Sequence, residues 1–349
     1  MARAVRPPSP DAAARGTRGS LRLHRLRRRP SRSLMVFAGR SNPRLAFAVA
    51  RRLGLELGLI ELETFANGEV YCRYGESIRG ADVFIVQSGS PPVNDHLLEL
   101  LVMIDAARLA SAHRIIVVLP LFPYARQDKK SAPREPISAR LVATLLEAAG
   151  ADRVVTMDLH AGQIQGFFSI PVDHVTALPL FARHFRGRRL RGARVVSVSP
   201  DLGRVKAARR FAQMLGCSFA IVTKVRPAHE LALAAEVIGD VNGKIAILGD
   251  DMIVTGGTLL AATDALLAAG ATAVHAFATH PLFVPTALAG LGGSNLDHIA
   301  VTDTVMLDPR SLPENVVVVT AADLLADAIR NVFEDHSVSA LFHGENELF

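Results

Sequence analysis

The chain has no tryptophan and only three tyrosines, and aromatic residues make up 5% of it. Half of its 349 residues are hydrophobic, so its cores must be built from Ala, Leu, Val and Ile. Cysteine is almost absent. Cys72 and Cys217 stand alone, with no CxxC pair and no metal-finger spacing. That argues against a disulfide framework and points to a reducing, cytoplasmic setting. No uninterrupted apolar run is long enough to span a bilayer. The longest candidate, 259–278, is broken by Asp264, Gly270 and His275, so no membrane partner is expected. Two nucleotide signatures are also missing. There is neither a GxxxxGK[ST] loop nor a GxGxxG fingerprint, so a bound nucleotide needs another holder.

Acidic residues are scarce at one end. Residues 1–33 carry ten arginines against the single acid Asp11, a net of +9, which leaves −3 for the remainder of a chain whose total is +6. The basic balance therefore says nothing about nucleic acid binding by the rest, and no nucleic acid partner is expected. The arm is rich in Arg, Pro, Ser and Gly without an apolar period, a composition that predicts disorder. It lacks the apolar segment of a secretory signal.

What is present from Leu34 onward is an alternation of strands and helices. Residues 34–38 read as a strand, Asn42-Pro43 as a helix start, and 44–53 as a helix stopped by Gly54. The Asn67-Gly68 step between apolar residues predicts a β-hairpin. Strands follow at 81–87, 114–119 and 153–157, with helices at 94–110 and 137–149. The order then restarts: strand 193–198, Ser199-Pro200-Asp201, helix 204–215, Gly216. Strand–SNP–helix–Gly is mirrored by strand–SPD–helix–Gly, which suggests two related α/β domains. Alternation of this kind implies mostly parallel sheets, with sites at the carboxyl ends of strands.

The most informative stretch is 245–260, IAILGDDMIVTGGTLL. A short apolar strand, 245–248, precedes the carboxylates Asp250 and Asp251. Thr255-Gly256-Gly257-Thr258 then opens a helix that Gly270 closes. Glycines let successive N–H groups converge, the helix start adds partial positive charge, and the threonines add hydroxyl donors. Together these form a phosphate cradle. The two carboxylates are acceptors suited to sugar hydroxyls or a hydrated Mg²⁺. The combination describes a pocket for a phosphorylated pentose.

Four further clusters sit where strands end. Arg126, Lys129 and Lys130 follow 114–119 and suit a polyphosphate. Asp158-Leu159-His160 follows 153–157 and offers a carboxylate and an imidazole to a metal–nucleotide complex. Asp201 opens a helix. Lys224 and Arg226 close the strand 219–223 and begin a segment, running to Ala234, with no buried pattern. Two cations at the hinge of a mobile loop are placed to meet a charged transition state.

Eight stretches in this order resemble the ribose-phosphate diphosphokinase family: FANGE (65–69), ESIRGAD (76–82), YARQDKK (124–130), REPISAR (134–140), DLHAGQIQGFF (158–168), SPD (199–201), TKVRP (223–227) and DDMIVTGGT (250–258). The resemblance runs from about Leu34 to Phe342. It implies two related type I phosphoribosyltransferase-like domains, 34–178 on the ATP side and 179–349 on the ribose 5-phosphate side, with a flag-like β-hairpin. The tail is expected to pack back on the first domain. It further implies that Phe65, Asn67 and Glu69 receive adenine, usually from a neighbouring subunit, and that Arg126, Gln127 and Lys130 bind ATP. His160 and Asp201 lie near the Mg²⁺ of MgATP. Lys224 and Arg226 are catalytic. Asp250 and Asp251 meet the ribose hydroxyls, and Thr255, Gly256, Gly257 and Thr258 hold the 5-phosphate. Ser77, Arg79, Ser337 and Ser339 resemble an effector site for phosphate and ADP. The implied partners are ATP, ribose 5-phosphate and further copies of the chain, as a homohexamer. Val254, Leu202, Arg204 and Pro133 depart from the family pattern. Two alternatives are a catalytically silent regulatory paralogue and a phosphoribosyltransferase that consumes the activated sugar.

Overall fold

The computed structural model describes residues 32–225 and 234–342, and these form two sheets of mostly parallel strands with helices against them. Residues 1–31 and the predicted mobile segment after Val225 lie outside the described residues.

The first half contains strands β1 (Leu34–Ala38), β4 (Asp82–Val86), β5 (Arg114–Leu119), β6 (Arg153–Met157) and β7 (Val172–Val175), paired in that order and all parallel. Its helices are α1 (Pro43–Leu53), α2 (Val93–Leu109), α3 (Ser138–Ala149) and α4 (Leu178–Gly187). Strands β2 (Ile60–Thr64) and β3 (Val70–Tyr74) form a separate antiparallel hairpin. Phe65 N–H bonds the Glu69 carbonyl across its tip, as the Asn67-Gly68 step predicts.

The second half comprises β8 (Val195–Ser199), α5 (Val205–Leu215), β9 (Ser218–Val225), β10 (Ala234–Ile238), β11 (Ile245–Ile253), α6 (Gly257–Ala268), β12 (Ala273–Pro281), α7 (Pro285–Gly292), β13 (His298–Thr302), β14 (Val316–Val319) and α8 (Ala322–Phe333). Its sheet runs β10-β9-β8-β11-β12-β13-β14.

The two halves repeat one plan. The order β1-β4-β5-β6-β7 matches β8-β11-β12-β13-β14. In each half a helix follows the first strand, a hairpin precedes the second, and a helix follows the last. Even the cap chemistry repeats. Asn42 Oδ1 accepts Leu45 N–H at 3.2 Å and Asp201 Oδ1 accepts Gly203 N–H at 2.9 Å. Gly54 and Gly216 both end their helices at positive φ, 74° and 65°, a conformation that costs a residue with a Cβ. Strand β11 differs from the expected 245–248. It continues to Ile253 because β12 is long enough to pair with it that far, so both acidic residues lie within a strand.

The halves are joined by a shared core. Val36, Leu45 and Phe84 of the first half belong to one buried cluster with Phe211, Phe277, Leu325 and Ile329 of the second. Phe181 and Phe185 of α4 pack against Phe277 with tilted rings, centroids 4.6 and 6.2 Å away. Val338 and Phe342 of the tail join the same cluster.

Buried histidines make this core acid-sensitive. Burial, and then the charge of Arg188, hold His298 down at about 4, with His184 stacked on it at an Nε2–Nε2 distance of 2.7 Å and His275 nearby. Burial likewise brings His174 to about 4, and its Nε2 accepts Leu159 N–H at 3.0 Å. A depressed histidine takes its proton more readily in the unfolded chain. The stability it contributes is therefore complete above about pH 6.5 and is lost as pH falls toward 4. The melting temperature should drop across that window, and less so in His298→Asn. Equal slopes for the two proteins would remove His298 from the explanation.

Candidate active site

The carboxyl ends of the two sheets meet, and polar contacts hold them together. Thr279 Oγ1 donates to Asp158 Oδ2 at 2.6 Å, and that oxygen also accepts Ala177 N–H at 2.9 Å. His280 Nε2 lies 3.0 Å from the Met157 carbonyl. Asn42 Nδ2 donates to the Asp303 carbonyl and Ser88 Oγ to that of Thr304. Asp158 thus braces the junction, while its neighbour His160 reaches the site.

A cleft of about 180 Å³ opens at this junction. It is lined by Arg126 and His160 from the first half and by Asp201, Asp250, Asp251, Thr255, Gly256 and Thr258 from the second. These residues come from loops or strand ends up to 132 positions apart (126 to 258), and a parallel sheet gathers them on one rim. Gly256 has φ 77° and directly precedes α6. Thr255 to Thr258 therefore surround a helix N-terminus whose backbone N–H groups have no partner within the helix, which suits an anion. Gly249, just upstream, leaves room for the Phe277 ring. A Cβ there would lie 2.4 Å from it.

The acidic pair is tightly held. Asp251 is 2% exposed. Its Oδ2 lies 2.7 Å from His160 Nδ1, and its Oδ1 lies 3.4 Å from an Arg204 terminal nitrogen. Asp251 N–H donates to Asp250 Oδ1 at 2.8 Å, and Arg204 Nε is 3.8 Å from the same oxygen. Burial alone would raise Asp251, but the Arg204 charge and the His160 and Asp250 hydrogen bonds outweigh it and hold it below the usual carboxylate range. Burial, and then the charge of Asp251, push Asp250 well above that range. An ionised Asp251 fixes His160 with its proton on Nδ1, leaving Nε2 for another partner.

Among the described residues no group of three or more His, Cys, Asp or Glu side chains is arranged to hold a metal ion. Mg²⁺ prefers oxygen ligands and binds through one or two carboxylates plus substrate phosphates. Asp201 lines the cleft and uses Oδ1 for its cap, so Oδ2 remains for the ion. His160 Nε2 fits a metal-bound water. The residues suit an ion that arrives on a polyphosphate.

The hairpin residues, Gln127, Lys130 and the effector group do not line this cleft. Phe65, Asn67 and Glu69 are exposed on the β2–β3 hairpin, where Asn67 Oδ1 accepts Glu69 N–H. Gln127 Oε1 accepts the Ser138 hydroxyl at 2.6 Å, and Lys130 is exposed. Lys224 lies in β9, its backbone in register with Ala235 of β10; Arg226 lies outside the described residues. Ser77 and Arg79 are exposed before β4, and Ser337 bonds Ser339 in the tail at 2.8 Å. Arg114 connects these two regions through Asp82 at 2.6 Å and Asp335 at 2.9 Å. Arg204 is the site residue that motif reading did not assign.

Residues 34–150 match the N-terminal domain of ribose phosphate pyrophosphokinase, and residues 220–343 match the phosphoribosyl synthetase-associated domain. The ribose-phosphate pyrophosphokinase of Fusobacterium nucleatum is 47% identical over 311 residues, 89% of this chain and 98% of that protein. The chain belongs to the ribose-phosphate pyrophosphokinase family. The corresponding protein of Caldanaerobacter subterraneus is 49% identical over 314 residues, 90% of this chain and 99% of its own length. A crystal structure of phosphoribosylpyrophosphate synthetase from Mycobacterium smegmatis superposes with a TM-score of 0.81 at 44% identity. It covers 87% of this chain and all of that one. The paired α/β halves and the hairpin are therefore the architecture of this family. Membership in it sets aside the phosphoribosyltransferase alternative. No helix among the described residues is long and apolar enough to cross a membrane.

Proposed function

We propose that this family member transfers the β,γ-diphosphoryl group of MgATP to the 1-hydroxyl of ribose 5-phosphate, giving 5-phosphoribosyl 1-diphosphate and AMP. One observation carries the reading. A phosphate cradle and an acidic pair from the second half share a single cleft with Arg126 and His160 from the first. That arrangement suits two phosphorylated substrates held face to face.

The 5-phosphate rests on the N–H groups and hydroxyls of Thr255, Gly256, Gly257 and Thr258, and the ribose hydroxyls donate to the acidic pair. Arg126, Gln127 and Lys130 hold the ATP phosphates. Phe65, Asn67 and Glu69 receive adenine in a neighbouring copy of the chain. A Mg²⁺ ion bound on the triphosphate beside Asp201 and His160 would neutralise charge and orient the phosphates. The sugar 1-oxygen attacks the β-phosphorus as its proton passes to solvent water. The bond from the β-phosphorus to the bridging oxygen on the α-phosphate breaks, and AMP leaves with that oxygen. The reaction asks little covalent chemistry of the protein, so positioning and the charges of Lys224 and Arg226 carry the rate.

Purified chain should form AMP from ATP only when ribose 5-phosphate is present. AMP formation without the sugar, or none with it, would reject the assignment, the second result favouring a catalytically silent paralogue. The active species should also be a homo-oligomer, of hexameric size, by light scattering. An active monomer would rule out an adenine site completed by a neighbour's hairpin.

A further inference from the structure

Arg40 is anchored three times over at the carboxyl end of β1. Its backbone N–H donates to Glu99 Oε1 at 2.7 Å, and its Nε donates to Glu99 Oε2. One terminal nitrogen donates to Thr64 Oγ1 at 2.9 Å. Glu99, on α2, is 1% exposed, whereas the arginine side chain is 41% exposed. Gln87 Nε2 donates to Glu99 Oε1 at 2.9 Å, and Gln87 Oε1 accepts Ser41 N–H at 3.1 Å. A buried carboxylate fixed by this many donors in turn fixes the planar guanidinium against it. Thr64 ends β2 and directly precedes Phe65. Strand residues alternate between faces, so Thr64 shares a face with Ile60 and Leu62. Cys72 and Tyr74 of β3 pair with Leu62 and Ile60, and all four pack on the first-half core. Tyr74 Oη also donates to the Met103 carbonyl of α2 at 2.9 Å. Beyond Leu62 that face reaches solvent, and Thr64 is exposed. Arg40 therefore adds a polar tie past the apolar contacts, one residue before the hairpin tip.

We infer that Arg40 is a positioning residue for the hairpin: by tying Thr64 to the buried Glu99 it aims the tip at 65–69 and thereby sets the affinity for ATP. A hairpin held only at its base samples many tip directions, and a ligand that needs one of them loses affinity to the cost of ordering it. Adenine lies far from the β-phosphorus along the nucleotide. That cost is therefore the same in the ground state and the transition state, and it appears in KM and not in kcat. This inference rests on the adenine-receiving role proposed for Phe65, Asn67 and Glu69.

Thr64→Val tests it, because valine keeps the side-chain shape and suits a strand while the Arg40–Glu99 pair stays intact. Hydrogen exchange over residues 60–74 is read on the full chain without substrates, and steady-state kinetics on the same preparation. Tip amides should exchange faster. KM for ATP should rise about threefold to tenfold, while kcat, KM for ribose 5-phosphate, melting temperature and oligomer size stay at wild-type values. Thr64→Ser keeps the hydroxyl and should restore both readouts. Arg40→Met should raise KM for ATP in the same way and also lower the melting temperature, since it strips Glu99 of its counter-charge. Unchanged exchange in Thr64→Val would overturn the tie. Faster exchange with an unchanged KM for ATP, or with KM raised alike for both substrates, would overturn its link to the nucleotide. Neither result bears on AMP formation by the wild-type chain, which tests the proposed reaction separately.

Discussion

Lys224→Ala should lower kcat by about 10²-fold or more while KM for both substrates stays near its wild-type value. The reasoning is about when charge appears. As the β-phosphorus leaves AMP, negative charge shifts onto the bridging oxygen and the transferring phosphates. A cation that meets this charge only in the transition state raises kcat without tightening ground-state binding. Removing a single donor of this kind costs about 10²–10³ in rate at comparable sites. Lys224 is near the end of β9, the strand next to the β10 edge of the second sheet. Arg226→Ala should behave similarly. The double variant should fall short of the product of the two single effects, because both cations act on one transition state. Near-native kcat in Lys224→Ala would show that the pair is an ordinary exposed basic segment.

Asp250→Asn and Asp251→Asn should separate, although the residues are adjacent. Asp250 lines the cleft. Its replacement weakens a ground-state hydrogen bond to the sugar, worth about 0.5–1.5 kcal/mol for an uncharged partner. KM for ribose 5-phosphate should therefore rise about twofold to tenfold, with little change in melting temperature. Asp251 is enclosed between Arg204 and His160. Its replacement leaves a poorly solvated guanidinium without its closest counter-charge, and breaking a buried pair in this way costs about 3 kcal/mol or more. Asp251→Asn should therefore raise KM and also lower the melting temperature by several degrees. Equal melting behaviour, checked by calorimetry on both variants, would remove the structural role assigned to Asp251.

The local signals in the sequence were strong where one short segment contains the whole device. The Asn67-Gly68 hairpin needs only its own turn. The helix starts and stops at Asn42, Gly54 and Gly216 need only their caps. The Thr255–Thr258 cradle is a strand end, a glycine at positive φ and a helix start within a few residues. Elements defined by their neighbours were less legible. Strand β12 is buried along nearly its whole length yet carries His275 and His280, so it shows neither alternation nor a pure apolar run. Helix α4 contains Pro179, His184 and Arg186, and only its packing on Phe211 and Phe277 explains its apolar side. Strand β10, AAEVI, starts after the segment outside the described residues, and its pairing with β9 could not be read from five residues alone. Arg204 had no signal as a site residue. Its partners lie 46 and 47 positions away, and only the parallel pairing of β8 with β11 brings them together.

The most direct test of the central claim follows the phosphorus atoms. ATP labelled separately at the β- and γ-positions, supplied with ribose 5-phosphate and Mg²⁺, should transfer both labels together to the sugar, one for one, while all α-label stays in AMP. Transfer of γ-label alone, with ADP as the second product, would contradict a diphosphoryl transfer and with it the account of the cleft.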